Sequence, residues 1–389
     1  SKFSAQVCKT IVDPYIGKLS IFRVFSGKLE RDDLVNIPNT EEDIKVTKLF
    51  KLNGSEQDNV DDLTAGEIGA VAKIEELETS YTFRDPETDI YYHELDFPSP
   101  MYARAAYPAE DVDEEKMASA LQKYSDSDPT FKVDYNKATK ELILTGMGNI
   151  HFTMVKEESQ RKYDIDFETR EPKVAYRETI QRKADVEEKY KKQSGGRGQY
   201  GHVIMTVEPL ARGNGFVFEE EIFGGAIPNQ YIPAVEKGIK EASEEGALAG
   251  YPVVDFKVLL YDGSYHDVDS SEMAFKIAAS KAFRKALEQA KSVLLEPIMS
   301  VEVTVPQEFM GDIMGDFNSR RGRIEGMDPQ DGVQIIKAKV PQAEMFNYAV
   351  ELKSLTGGYG SFNMEFSHYD KVPKDLSEDI LEQINQEQE

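Results

Sequence analysis

The stretch GSYHDVDSSE at residues 263–272, read together with SGGRGQYGHV at 194–203, decides the fold. In the first, a polar turn of Ser264, Tyr265, His266, Asp267, Val268 and Asp269 follows an apolar run at 253–261. After the turn, Phe275, Ala278, Ala279, Ala282, Phe283 and Ala286 recur at helical spacing. Those positions line one face of a helix over 271–290, with Ser270 or Ser271 as its N-cap. In the second, Ser194, Gly195, Gly196, Arg197, Gly198, Gln199, Tyr200 and Gly201 lead into the β-type run HVIMTV at 202–207. With a further helix over 231–249, the segments predict an α/β domain at 170–297, carrying two unusual polar loops.

Outward from this domain, the pattern changes on both sides. Residues 1–85 hold short, partly alternating apolar runs (5–12, 18–25, 34–37, 44–50 and 67–74) punctuated by Gly or Pro, which predicts a small N-terminal β-barrel. Pro86, Pro98 and Pro100 bracket the boundary that follows. Residues 90–169 then read as strand, helix, strand, strand, helix, strand, the split βαβ order of a ferredoxin-like βαββαβ domain. Its first helix starts at the acids near 111–114, with Met117, Leu121 and Tyr124 on one face. The same order returns at 298–370, where Met310, Ile313, Met314 and Phe317 mark one helix and Met345, Tyr348, Ala349 and Leu352 the other. An acidic tail at 371–389 carries Leu376, Ile380, Leu381 and Ile384, the apolar stripe of a short amphipathic helix. The fold class expected is multidomain α+β.

Composition narrows the function. The 389 residues carry 46 Lys and Arg against 71 Asp and Glu, a net charge of −25, which argues against general affinity for a polyanion. Contacts are local, however. Residues 182–202 hold six basic side chains against three acids, and Arg320, Arg321 and Arg323 form a second knot. A single Cys8 excludes an internal disulfide, and no apolar run is long enough to span a membrane.

Several chemistries are excluded by context. The GRGQYG at 196–201 satisfies G-x-G-x-x-G but opens into a strand, whereas a dinucleotide fingerprint must open a helix whose N-terminus meets the pyrophosphate. No phosphate-cradling G-x-x-x-x-G-K-[ST] occurs, and NKAT at 136–139 lacks the carboxylate of a guanine-reading tetrapeptide. The five histidines have no metal-ligand spacing. Ser264, His266 and Asp267 are too close in sequence to form a triad. The two loops do suit RNA. Gly195, Gly196 and Gly198 admit a phosphate close to the backbone, Arg197 brings charge, and Tyr200, Tyr265 and His266 offer rings for unpaired bases.

The motifs resemble those of bacterial elongation factor G, a translational GTPase family. SGGRGQYGHV (194–203), IPNQYIPAVEKG (227–238), GALAGYPVVD (246–255) and GSYHDVDSSE (263–272) resemble its fourth domain. VLLEPIMSVEV (293–303), GDIMGD (311–316) with Arg320, Arg321 and Gly322, and the segment from Glu344 to Gly357 resemble the fifth. GMGNIH (146–151) resembles the start of a third-domain helix, and residues 13–27 the second-domain barrel. The resemblance runs from residue 5 to 370. Two features depart from it: the family's GTPase domain is missing from this sequence, and Asn149 stands where an acid is usual.

The resemblance implies a C-terminal portion of a longer protein, either the housekeeping factor or a specialised paralogue. It implies an arm of ribosomal protein S5 domain 2-like type whose tip meets the tRNA–mRNA complex. The residues concerned are Ser194, Gly195, Gly196, Arg197, Gly198, Gln199, Tyr200 and Gly201 in one loop, with Ser264, Tyr265, His266, Asp267 and Asp269 in the other. Arg320, Arg321 and Arg323 are candidate contacts to ribosomal RNA. The partners implied are both ribosomal subunits, for a cytoplasmic protein that is a monomer off the ribosome. No cofactor is expected in this chain, GTP and Mg belonging to the full-length protein. A ribosomal protection or recycling paralogue and, from another class, an α/β enzyme of unknown substrate are the alternatives.

Overall fold

A computed structural model describes residues 1–388 except 14, 15, 55, 194–197 and 331. The chain divides into two compact units, Ser1–Lys173 with Phe346–Asn363, and Val174–Met345 with Met364–Glu389.

The first unit opens with ten strands: β1 (Ser4–Asp13), β2 (Gly17–Ser26), β3 (Lys28–Glu30), β4 (Leu34–Ile37), β5 (Glu42–Lys45), β6 (Leu49–Asn53), β7 (Glu56–Asn59), β8 (Asp62–Thr64), β9 (Ile68–Ala72) and β10 (Thr82–Arg84). Eight of them pair in the order β5-β4-β10-β1-β2-β9-β6-β7, and β3 pairs with β8. Phe22, Val24, Ile37, Leu49 and Phe83 are buried among them, and Phe22 meets Phe83 edge-on at 4.7 Å. The expected barrel is not closed among the described residues. The outer strands EDIK and EQDN are almost wholly polar and exposed, so they have little apolar surface to bury by joining, and charged edges resist pairing.

Next come β11 (Tyr102–Pro108), α1 (Glu114–Ser125), β12 (Lys132–Asn136), β13 (Glu141–Gly146), α2 (Asn149–Tyr163) and β14 (Phe167–Arg170), an antiparallel sheet ordered β12-β13-β11-β14. Asp113 caps α1 by accepting the Lys116 N–H at 3.0 Å, and Glu114 and Glu115 complement the helix dipole.

The second unit begins with β15 (Arg177–Ile180), β16 (Ala184–Lys192), β17 (Gln199–Pro209), β18 (Phe216–Glu220), α3 (Ile232–Ser243), β19 (Phe256–Ser264) and α4 (Glu272–Gln289). The sheet β16-β17-β19-β18 buries Val203, Met205, Val258 and Leu260 in one core with Ile239, Phe275, Ala279 and Phe283 of the helices. Helix α3 stops at Ser243, short of the expected 249. The cause is Glu178, fully buried, whose carboxylate accepts four backbone N–H groups: Ala247 (2.8 Å), Leu248 (3.0 Å), Ala249 (2.9 Å) and Tyr251 (3.3 Å). These bonds replace the helical ladder, and Gly246 takes the positive φ of 54° that turns the chain.

The chain continues with β20 (Ser292–Pro306), α5 (Met310–Ser319), β21 (Arg323–Gln330), β22 (Val333–Pro341), α6 (Tyr348–Leu355), β23 (Ser361–Lys371) and α7 (Lys374–Gln388). Strand β20 runs straight through the expected boundary at 297/298. It pairs with β15 over Ser292 to Leu295 and with β22 from Ile298 on, so Pro297 falls between these two ladders and neither calls on its missing N–H. Strand β23 also pairs with β20. Residues 346–363, expected within 298–370, cluster with the first unit: Asn347 bonds Arg104 (2.7 Å) and Glu171 (2.5 Å), and Lys353 Nζ donates to the Met147 carbonyl (3.0 Å). In the acidic tail, Leu376, Ile380, Leu381 and Ile384 of α7 pack against the buried cluster of Ala249, Leu294 and Val372, as do Tyr176 and Tyr251.

Candidate functional site

Strands β17 and β19 are antiparallel, and His202 stands opposite Ser264. The start of one strand and the end of the other therefore lie at the same end of the arm, and the described parts of both loops meet there. Asp269 joins them twice: its Oδ1 accepts the Gly198 N–H and its carbonyl accepts the Tyr200 N–H, both at 2.9 Å. Ser270 adds a third link, donating from Oγ to the Tyr200 carbonyl (3.0 Å) while accepting the His266 N–H (2.9 Å). Ser271 caps α4 by accepting the Ala274 N–H at 3.2 Å. Residues 194–197, carrying Ser194, Gly195, Gly196 and Arg197, lie outside the described residues.

The two described glycines of the first loop, Gly198 and Gly201, serve the protein's own packing. A Cβ at Gly201 would sit 2.5 Å from the Ala274 carbonyl oxygen, so only glycine lets β17 pass the first turn of α4. Gly198, expected to admit a phosphate, already gives its N–H to Asp269.

On the outer side of the turn, Tyr265, His266, Asp267 and Val268 are exposed. His266 Nδ1 faces the N–H groups of Val268 (3.3 Å) and Asp269 (3.2 Å). Two donors require a lone pair there, so the neutral ring carries its proton on Nε2, away from the turn. In that tautomer Asp269 Oδ2, 3.4 Å from Nδ1, is a neighbour rather than an ion-pair partner. The Tyr200 ring lies 6.3 Å from that of His266.

Beneath the turn runs a hydrogen-bonded chain that sequence spacing concealed. Glu187 Oε1 meets His202 Nε2 at 2.9 Å, His202 Nδ1 meets Ser264 Oγ at 2.7 Å, and Ser264 Oγ meets Tyr200 Oη at 2.7 Å. A carboxylate, an imidazole and a hydroxyl in a row suggest a catalytic triad, but the hydroxyl is shared with Tyr200 and the imidazole is buried. The chain orders the turn. A histidine inside the apolar run HVIMTV was the one local sign of it.

Lys189, Lys191 and Lys192 are exposed along β16, the sheet edge beside α4. Lys281 Nζ sits 5.1 Å over the Tyr190 ring, and Lys285 Nζ donates to the Glu187 carbonyl at 3.0 Å, extending this basic flank. The second basic knot is different. Arg320 binds Asp316 Oδ2 (2.8 Å) and the Glu344 carbonyl (2.6 Å). Arg321 forks onto buried Glu296 (2.6 and 2.9 Å) and reaches Glu344 (3.0 Å), and the Glu296 hydrogen bonds raise its pKa further. These two guanidinium groups hold the protein's own loops together, a structural use beyond the RNA contact expected of them. Arg323, at the start of β21, is exposed. Among the described residues no group of three or more His, Cys, Asp or Glu could hold a metal ion, and no helix is long and apolar enough to cross a membrane.

The fold and site define a class: a modular α+β protein whose α/β arm ends in a tied, polar double loop. The domain families agree. Residues 2–85 match elongation factor G domain 2, 97–171 domain III, 172–291 domain IV and 293–380 the elongation factor G C-terminus. The chain belongs to the elongation factor G family, translational GTPases that act in protein biosynthesis on the ribosome; the four matches are to domains other than the GTPase domain. It is also similar to a protein of known crystal structure from Thermus thermophilus, at 39% identity and a TM-score of 0.83 over 99% of this chain. The match spans 58% of that protein's length.

Proposed function

We propose that this chain forms the ribosome-binding part of a cytoplasmic translocation factor, a monomer off the ribosome. Its arm carries the tip toward the tRNA–mRNA complex. The tying of Gly198 and Tyr200 to Asp269 carries the proposal, because it presents His266, Tyr265 and Asp267 on a rigid end instead of a floppy loop. Pre-ordered rings lose little entropy on stacking against a base. The basic flank of β16 would follow the phosphates, and the contacts would weaken as salt rises. Residues 1–85 would rest on small-subunit RNA. The two strand–helix–strand–strand–helix–strand units would be ferredoxin-like, the later one presenting Arg323 to large-subunit RNA. GTP and Mg, bound elsewhere in the complete protein, would time release through coupling between domains.

His266→Ala in the complete protein tests this. Losing one stacking ring of about 1–3 kcal/mol slows mRNA movement roughly 5- to 150-fold, with ribosome binding and GTP turnover near their original values. Equal loss of all three activities would refute a role at the tip.

A further inference from the structure

Strand β18 runs parallel to β19, from Phe216 beside Phe256 to Glu220 beside Leu260. Both strands therefore head for the same end of the arm, and the chain leaving β18 emerges beside the His266 turn. Three fixed points hold it there. The Glu221 N–H donates to the Leu260 carbonyl at 2.8 Å. Ile227 is fully buried, and a Cβ at Gly263 would lie 2.6 Å from its Cδ1. Tyr231 Oη donates to the Ser270 carbonyl at 3.4 Å. Between these anchors a turn closes through the Ala226 N–H and the Phe223 carbonyl (3.3 Å), with Gly224 and Gly225 at φ 63° and 72°. Two successive left-handed residues suit glycine and set the turn's direction.

The turn leaves Phe223 86% exposed. A lone surface phenylalanine would be ordinary, but Tyr265, Val268 and Met273 are exposed at the same end of the arm. Apolar side chains gathered on anchored backbone mark a contact surface. We propose that residues 221–231 form a third binding loop of the tip, in which Phe223 stacks on an unpaired nucleobase. The proposal rests on the RNA reading of the two tied loops.

The local charge defines which part of the RNA is met. Glu220, Glu221 and Asp262 are exposed near this loop, and the sheet order puts the lysines of β16 on the opposite edge. Phosphates are repelled from the β18 edge, whereas the face of a splayed base carries no net charge. Phe223 therefore adds affinity that does not depend on salt, in contrast to the lysines.

This sequence has no tryptophan, so Phe223→Trp and His266→Trp each place a single indole in its arm. Each variant of the complete protein, with any tryptophan outside this sequence changed to Phe, is titrated with ribosomes carrying mRNA and tRNA. The proposal expects quenching of both indoles by stacked bases. It also expects Phe223→Ala to lower affinity for these ribosomes roughly 5- to 150-fold, by the same factor at low and high salt. A blue shift without quenching in the Phe223→Trp variant means an apolar protein surface and overturns the proposal. So does silence in that variant with quenching in His266→Trp, which leaves the two-loop tip standing. Silence in both variants sinks the third loop and the tip together.

Discussion

Replacing Ser264 by Ala removes one oxygen that holds two hydrogen bonds of 2.7 Å, to His202 Nδ1 and to Tyr200 Oη. His202 is buried, so its abandoned ring nitrogen cannot recover a partner freely, a cost of about 1–3 kcal/mol. Tyr200 is half-buried and its hydroxyl regains water, so its share is about 0.5–1 kcal/mol. The total, roughly 1.5–4 kcal/mol, falls on local opening of the tip, because a multidomain chain does not unfold as one unit. Amide hydrogen exchange is the assay. The N–H groups of Gly198 and Tyr200, tied across the tip, and of His266 and Ser270, tied within the turn, exchange roughly 12- to 700-fold faster in the variant. Those of Ala247 and Leu248, held by Glu178, serve as the control and stay protected. A double-mutant cycle with His202→Ala gives a coupling of at least about 1 kcal/mol. Unchanged exchange at the tip, or additivity within about 0.5 kcal/mol, would refute the tie between the buried chain and the turn.

Two further outcomes follow from the second unit. Glu178→Gln leaves one oxygen for four N–H donors; losing two bonds to a charged acceptor costs about 3–6 kcal/mol and loosens Ala249 in the seat of α7, so proteolysis releases residues 374–388 early. Wild-type resistance in that variant would contradict the role assigned to Glu178. The Tyr176 phenol is pushed up to about 12, first by burial and then by the nearby Glu296 carboxylate. Its folded pKa exceeds the unfolded value near 10, so its contribution is intact below about pH 10 and lost as pH rises toward 12. Tyr176→Phe makes the alkaline loss of stability shallower over roughly pH 10–12; identical slopes would count against it.

How much was legible depended on the element. Helix α4 was readable because its cap, Ser271, and its Ala and Phe face are signals within one helical repeat. Strand β16 was not, since ADVEEKYKK is a charged edge strand that turns few apolar residues inward. The amphipathic stripe of α7 was visible, but its seat on Ala249, Leu294 and Val372 was not. The two loops were picked out by their Gly, Tyr and His content. Their meeting through Asp269 required the β17–β19 pairing, and their role at the ribosome stands as a proposal.

Arg320 and Arg321 show the limit most clearly. Their clustering in sequence looked like a patch for phosphates, and only the fold reveals their acidic partners within the chain, Asp316 for the first and Glu296 with Glu344 for the second. Hydrophobic period, caps and glycine turns act between residues a few positions apart, so a linear chain displays them. The Glu187–His202–Ser264 chain and the grip of Glu178 on residues 247–251 join groups 15 to 73 positions apart. Such partners are chosen by strand register and helix packing, which arise from the collective burial of a whole core and are written in no single stretch.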